Sequence, residues 1–196
     1  MRDPEATKDN ILKRSAVLFN TNGYKATSIS DITSATGLTK GAVYTHFVNK
    51  DQLEIETLGY LSTLLFAKLK ELTKKEATAG DKLRSIFMFF ESYITNPPLK
   101  GGCPLLNAAI EADDAHVGLR KEALKILSVL RASVISILEK GIEHNQLKPG
   151  TDKDFLATII IAGLEGSIMM SKLEQNDNDI KNMIKHLSQQ IKDIEI

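Results

Sequence analysis

Every proline in this 196-residue chain falls between stretches of helical periodicity: Pro4, Pro97, Pro98, Pro104 and Pro149. Proline lacks an amide donor and clashes with the preceding turn, so it marks where helices begin or stop. No run between these marks alternates apolar and polar residues over strand length. The pattern therefore predicts an all-α fold. At 42% hydrophobic and 26% charged the chain is ordinary globular material and not a disordered one. One cysteine excludes a disulfide scaffold and a zinc site built from cysteines. The longest fully apolar run, Ile159 to Leu164, is far short of the ~20 residues that span a bilayer. Residues Met1 to Glu5 carry no apolar core of a signal peptide, so the expectation is a cytoplasmic protein with no membrane partner.

Periodicity divides the chain into helices of two kinds. Leu12, Ala16 and Phe19 share one face of a first helix, which Asn22-Gly23 stops. A short second helix from about Ser28 to Thr36 carries Ser28 and Asp31 at capping-box spacing and ends at Gly37. Thr39 can cap a third, Lys40 to Phe47, and Asn49 a fourth with Gln52 at its third position. The fourth continues through Leu61, Leu65, Leu69 and Leu72 to about Lys75, with a break expected at Ala79-Gly80. Longer helices follow. An apolar stripe runs from Leu83 to Ile94, and a short helix extends from Pro104 to about Asp113. A long helix spans about Val117 to Glu143. Asp152 to Glu174 is apolar nearly all round, and the last helix covers about Asp179 to Ile194. The expected organisation is an N-terminal three-helix unit, residues 1–48, joined through a long helix to a helical bundle, residues 49–196.

The chemistry concentrates between Ala26 and Leu53. Helix, short turn, short helix is the pattern of helix-turn-helix units, and Gly37 in Thr36-Gly37-Leu38-Thr39 supplies the backbone freedom of the turn. Val43 and Phe47 point inward at i, i+4. The opposite face offers Lys40, Tyr44, Thr45 and His46 beside the side-chain-free Gly41. A core helix has no use for that donor face. A helix lying in a major groove does, because its first residues reach base edges while its flanks bond phosphates. Lys50 opens a helix whose N-terminus can hold a phosphate.

Residues 23–53, from Gly-Tyr-Lys-Ala-Thr-Ser through Thr-Gly-Leu-Thr-Lys-Gly-Ala-Val-Tyr-Thr-His-Phe to Asn-Lys-Asp-Gln-Leu, resemble the TetR family of bacterial transcriptional regulators. Chain length and helix number fit the same family. The resemblance implies that Thr27 and Ser28 bond phosphates. It implies that Thr39, Lys40 and Gly41 face the groove, and that Tyr44, Thr45, His46 and Lys50 hold bases or backbone. Two positions depart from the family pattern: Thr33, where alanine is frequent, and Val48, where a basic or polar residue is frequent.

The larger part is expected to pair with a copy of itself and to sense a small molecule. One helix-turn-helix contacts few base pairs, so such units work as dimers on two half-sites. In the Asp152–Glu174 helix, Gly163, Gly166 and Ser167 permit close approach beside Ile159, Ile160 and Met170. Met183 and Leu187 continue the seam on the last helix. Apolar walls with a few convergent polar groups describe a ligand site. Phe66, Phe87, Phe90, Tyr93 and Met169 are the candidate walls, and Cys103, Asn107 and Glu111 the candidate polar groups. The Gly-Cys-Pro segment around Cys103 resembles one branch of the family. Cys103 reads as a structural thiol, and Glu111, Asp113, Asp114 and His116 as a solvated helix end and loop instead of a metal site. No nucleophile elbow, phosphate loop, dinucleotide fingerprint or zinc-protease motif is present, so neither catalytic residues nor a cofactor is expected. The rival classes are an all-α enzyme using Glu111 and His116, and an architectural DNA-binding protein without effector control.

Zero net charge argues against nucleic acid only as a sum. Residues 1–50 hold seven Lys/Arg and four Asp/Glu, a balance of +3, and the remainder is −3. The expected partners are double-stranded operator DNA, an unidentified small-molecule effector and a second copy of the chain. The expected action is repression relieved by the effector.

Overall fold

A computed structural model describes residues 3–112 and 116–196. Among the described residues there are nine α-helices: α1 Pro4–Asn22, α2 Ile29–Thr36, α3 Lys40–Tyr44, α4 Lys50–Lys74, α5 Ala79–Thr95, α6 Pro104–Ala112, α7 Val117–Glu143, α8 Lys153–Glu174 and α9 Asn178–Ile194. The only extended pairing among them is a single antiparallel bridge between Leu147 and Glu195. The all-α expectation stands.

Two boundaries differ from the sequence reading, each for a local reason. The break after α4 lies at residues 75–78, and Ala79-Gly80 instead form the first turn of α5. Thr78 caps that turn by accepting from the Asp81 amide at 3.1 Å. A Cβ at Gly80 would meet the end of the Glu195 side chain, which would have to shift. The third helix ends at Tyr44 and not at Phe47. The His46 amide bonds the Val43 carbonyl at 3.0 Å, a tightened last turn that delivers Phe47 to the core.

The chain packs as two compact units. The first comprises residues 1–65 and 99–126, so α1, α2, α3, the first part of α4, α6 and the start of α7 belong together. Its core is built from Ile11, Phe19, Tyr24, Ile32, Val43 and Phe47, all at most 2% exposed. Phe19 and Tyr24 stack with ring centroids 5.0 Å apart. Burial of each such side chain contributes about 1.5–3 kcal/mol. That exceeds the intrinsic stability of helices as short as α2 and α3, which packing holds in place.

The second unit comprises residues 66–98 and 127–196. Here α5, α8 and α9 pack on one another. Their mutually facing sides bury Leu83, Phe87, Ile160, Leu164, Ile180 and Leu187. Helix α8 is long and apolar enough by composition to cross a membrane. Its buried side nevertheless packs against protein, and it carries charge at Lys153, Asp154, Glu165, Lys172 and Glu174. The functional boundary expected at residue 48 is thus a different division from the packing one.

Candidate nucleic-acid interface

The α2–turn–α3 segment is fixed by three caps. Ser28 and Asp31 form a full capping box: the Asp31 amide donates to Ser28 Oγ at 3.2 Å, and the Ser28 amide to Asp31 Oδ2 at 2.8 Å. Hydrogen bonds from the Ser28 hydroxyl and amide hold the Asp31 carboxyl below its ordinary range. Gly37 closes α2 at φ +68° with nothing near its α-carbon, so glycine is there for backbone conformation and not for space. Thr39 caps α3 by accepting from the Ala42 amide at 3.2 Å.

Helix α3 then presents two unlike faces. Val43 and Phe47 are buried. Thr39, Lys40, Gly41, Tyr44 and Thr45 are exposed together. The Lys40 ammonium lies 5.9 Å from the centre of the Tyr44 ring, and Tyr44 is 38% exposed. His46 is half-buried, its ring tilted against Phe47 at 6.4 Å. Ser28 is exposed at the start of α2, with its hydroxyl donating to Asp31 at 2.7 Å.

Thr27 and Lys50 are placed differently from the rest of the expected contact set. Thr27 is 1% exposed, and its hydroxyl donates to the Gly23 carbonyl at 2.7 Å. Lys50 turns inward, donating to the Tyr24 carbonyl at 2.7 Å and pairing with Glu54 at 3.0 Å. Both brace the turn between α1 and α2 in this structure instead of facing outward. Val48, in the junction between α3 and α4, is 85% exposed.

That turn has a second brace, which sequence reasoning had assigned to ligand binding. The Glu111 carboxylate on α6 accepts from the Tyr24 and Lys25 amides, each at 3.0 Å. Asn107, one turn earlier, donates to the backbone and side-chain oxygens of Asn20 at 3.1 and 3.0 Å and to the Gly101 carbonyl at 3.1 Å. Asn20 in turn donates to the Lys100 and Gly102 carbonyls at 2.6 and 2.9 Å. Gly101 and Gly102 reach this position at φ +97° and +100°. A Cβ on Gly101 would stand 1.9 Å from the Asn20 carbonyl oxygen. Burial, with Glu111 and Glu54 close by, raises the Tyr24 hydroxyl well above its ordinary value. Nothing in residue spacing pointed to Asn20. The available signal was the Gly101-Gly102 pair, which implied a close backbone approach without naming the partner.

His116 ties α7 to α4. Its Nδ1 accepts from the Leu119 amide at 3.0 Å, so the ring proton sits on Nε2, which donates to Glu54 at 2.8 Å. Asp51, Glu54 and His116 bring ligand atoms within 4.8 Å of one another. Lys50 already supplies Glu54 with a cation, and a metal on Nε2 would displace the cap on α7. This is structural bonding. Asp113 and Asp114 lie outside the described residues.

The remaining candidates separate. Phe87, Phe90 and Tyr93 are buried together on α5, and Phe89 meets Phe90 and Tyr93 edge-on at 5.9 and 5.5 Å. Phe66 is half-buried on α4 and Met169 is 43% exposed on α8. Cys103 is buried in the other unit with Asn107 and Glu111. Of the seam set, Gly163, Gly166, Ser167, Met170 and Met183 line an open groove of about 340 Å3 between α8 and α9. Ile160 and Leu187 belong to the unit's own core, and Ile159 is half-buried.

Comparison with known proteins agrees with this architecture. Residues 11–57 match the family model of bacterial regulatory proteins, tetR family, and residues 79–187 match that of the tetracyclin repressor-like C-terminal domain. A TetR transcriptional regulator from Chloroflexus aurantiacus superposes with a TM-score of 0.94 at 33% identity, covering 100% of this chain and 98% of that one. The transcriptional repressor KstR2 of Mycolicibacterium smegmatis is 26% identical over 80% of this chain and 75% of its own length. The family regulator CifR, solved with a 26-bp operator duplex, shares the fold at a TM-score of 0.83 and 18% identity, covering 92% of this chain and 94% of that one. These relatives are regulators and not enzymes. The chain belongs to the TetR family of bacterial transcriptional regulators.

Proposed function

We propose that the protein is a homodimeric repressor that places one α3 helix in each of two successive major grooves of a palindromic operator and is released by a small-molecule effector. The observation that carries the DNA reading is the split character of α3. Five residues, Thr39, Lys40, Gly41, Tyr44 and Thr45, stand outward while Val43 and Phe47 anchor the helix. Gly41 lets the backbone approach the groove; Lys40 and Tyr44 supply donors for bases or phosphates. Ser28 adds a contact at the α2 N-terminus, and His46 one at the far edge. The protein acts in the cytoplasm, where its operator is.

The test is fluorescence anisotropy on the DNA flanking its own gene at fixed salt. Lys40→Ala and Tyr44→Ala each lower operator affinity by about tenfold or more while the dimer persists. Normal binding by either variant sinks the docking.

Effector coupling runs through α6. Its Asn107 and Glu111 hold the α1–α2 turn by hydrogen bonds to Asn20, Tyr24 and Lys25. An effector that displaces α6 loosens that brace and changes how the reading helix is presented. It does so only if it binds the two arrangements unequally. Phe66, Phe87, Phe90, Tyr93 and Met169, all in the second unit, remain the proposed apolar contacts.

A further inference from the structure

The second unit holds a cavity of about 350 Å3 whose charged lining is all cationic. One wall is a stripe on α4: Lys70, Thr73 and Lys74 at i, i+3, i+4. The facing wall is Ser136 and Lys140 on α7 with His144 just past its end, at i, i+4, i+8. Lys82 closes it from the first turns of α5, and the floor is small and apolar: Ala77, Ala79, Ile137 and Gly141.

Four lysines, three exposed and Lys82 half-exposed, line one small cavity and repel one another, and a bound counter-charge would relieve that repulsion. Glu76 and Glu143 lie next to lining residues in sequence without lining the cavity, and other carboxylates of the unit are engaged elsewhere. Glu71 bonds Lys68 and Lys75, which hold its carboxyl down to about 2. Asp81 and Glu195 bond Arg84. Glu139 bonds Lys153. Among the described residues Lys70, Lys74, Lys82 and Lys140 form no ion pair within 4.0 Å. Uncharged donors supplement them. Gln146 accepts from the Ala79 amide at 2.8 Å through its carbonyl oxygen, which leaves its NH2 as a donor at the cavity wall. The positive end of the 17-residue α5 lies at the same place, because its first residue, Ala79, is part of the floor.

We propose that this cavity binds a small organic polyanion carrying phosphate groups. The lysines and the α5 terminus take the phosphate charge, the Ser136 hydroxyl and the Gln146 amide add directed bonds, and the Ala77–Ile137 floor receives the carbon skeleton. A volume near 350 Å3 admits a molecule of nucleotide or sugar-bisphosphate size. The site stands apart from the aromatic cluster proposed for the effector, and it does not depend on operator binding.

Isothermal titration of the full-length protein with inorganic pyrophosphate and with ADP, at constant ionic strength in chloride, tests it. The expected result is saturable binding of one molecule per chain. That binding is weakened roughly tenfold or more in Lys82→Ala/Lys140→Ala and not in the control pair Lys121→Ala/Lys185→Ala, which removes equal charge elsewhere. These are exposed or half-exposed side chains, and circular dichroism verifies that all variants fold. Absence of saturable binding, or equal weakening in the control pair, overturns the proposal. So does binding to phosphatidic acid vesicles with none to soluble pyrophosphate or ADP, which assigns the cavity to a lipid headgroup.

Discussion

Glu111 is an instructive side chain because it makes two charge-assisted bonds to backbone amides 86 and 87 residues away. Removing it leaves the Tyr24 and Lys25 amides without their acceptor at a part-buried site, which costs about 1–3 kcal/mol. Glu111→Ala therefore lowers the unfolding free energy of the full chain by that amount in urea titration, and it does so without any effector present. Glu111→Gln keeps one accepting oxygen and loses about half as much. If Glu111→Ala unfolds at the wild-type denaturant midpoint, the brace is not energetic and the α6 coupling route falls. Gly101→Ala acts on the same brace from the other side. Its Cβ has no room beside the Asn20 carbonyl and its φ is left-handed, so this one methyl destabilises more than alanine at any exposed position.

At the scale of elements, α2 depends on its cap. Eight residues make too few backbone bonds to be stable alone, and the capping box satisfies two of the free amides. Ser28→Ala removes a cap of a kind that contributes about 0.5–2 kcal/mol. The same change releases Asp31, whose carboxyl returns toward 3.8 from below. The sign follows: a carboxyl depressed in the folded state adds stability above its unfolded value and loses it as pH falls through the folded one. Wild-type and Ser28→Ala thermal midpoints therefore converge as pH drops below about 4. A constant gap across that range would show that Asp31 does not share in the cap. The α3 helix is shorter still, and its position comes from Val43 and Phe47 beneath it, not from its own propensity.

At the scale of the whole molecule, assembly and charge decide what the protein can do. The α8–α9 groove is open at Gly166, where an added side chain meets nothing within the chain. Gly163 is different, because a Cβ there already presses on Met183 Sδ at 2.8 Å. Gly166→Leu is therefore the cleaner test of the proposed seam: it leaves the fold intact and shifts the sedimentation equilibrium toward monomer. A dimer of wild-type strength would place the interface elsewhere. A dimer also doubles the +3 balance of residues 1–50 to about +6, so operator affinity falls steeply with salt.

The amino-acid pattern alone determined the helices, the caps at Ser28 and Thr39, the inward pair Val43 and Phe47, and the outward donor face of α3. These follow from neighbours within one or two turns, and local spacing encodes them. Tertiary structure decided which polar side chains are available. Thr27 and Lys50 fit a contact motif by position, yet folding commits them to the Gly23 and Tyr24 carbonyls. Asn107 and Glu111 fit a ligand site by their shared face, yet folding sets them against α1 and its turn. The four-lysine cavity gathers residues from three helices, and no spacing in one dimension announces it. The physical reason is common to all three. A hydrogen-bonding group takes the partner that burial brings to it, and residues distant in sequence become such partners only when the core closes.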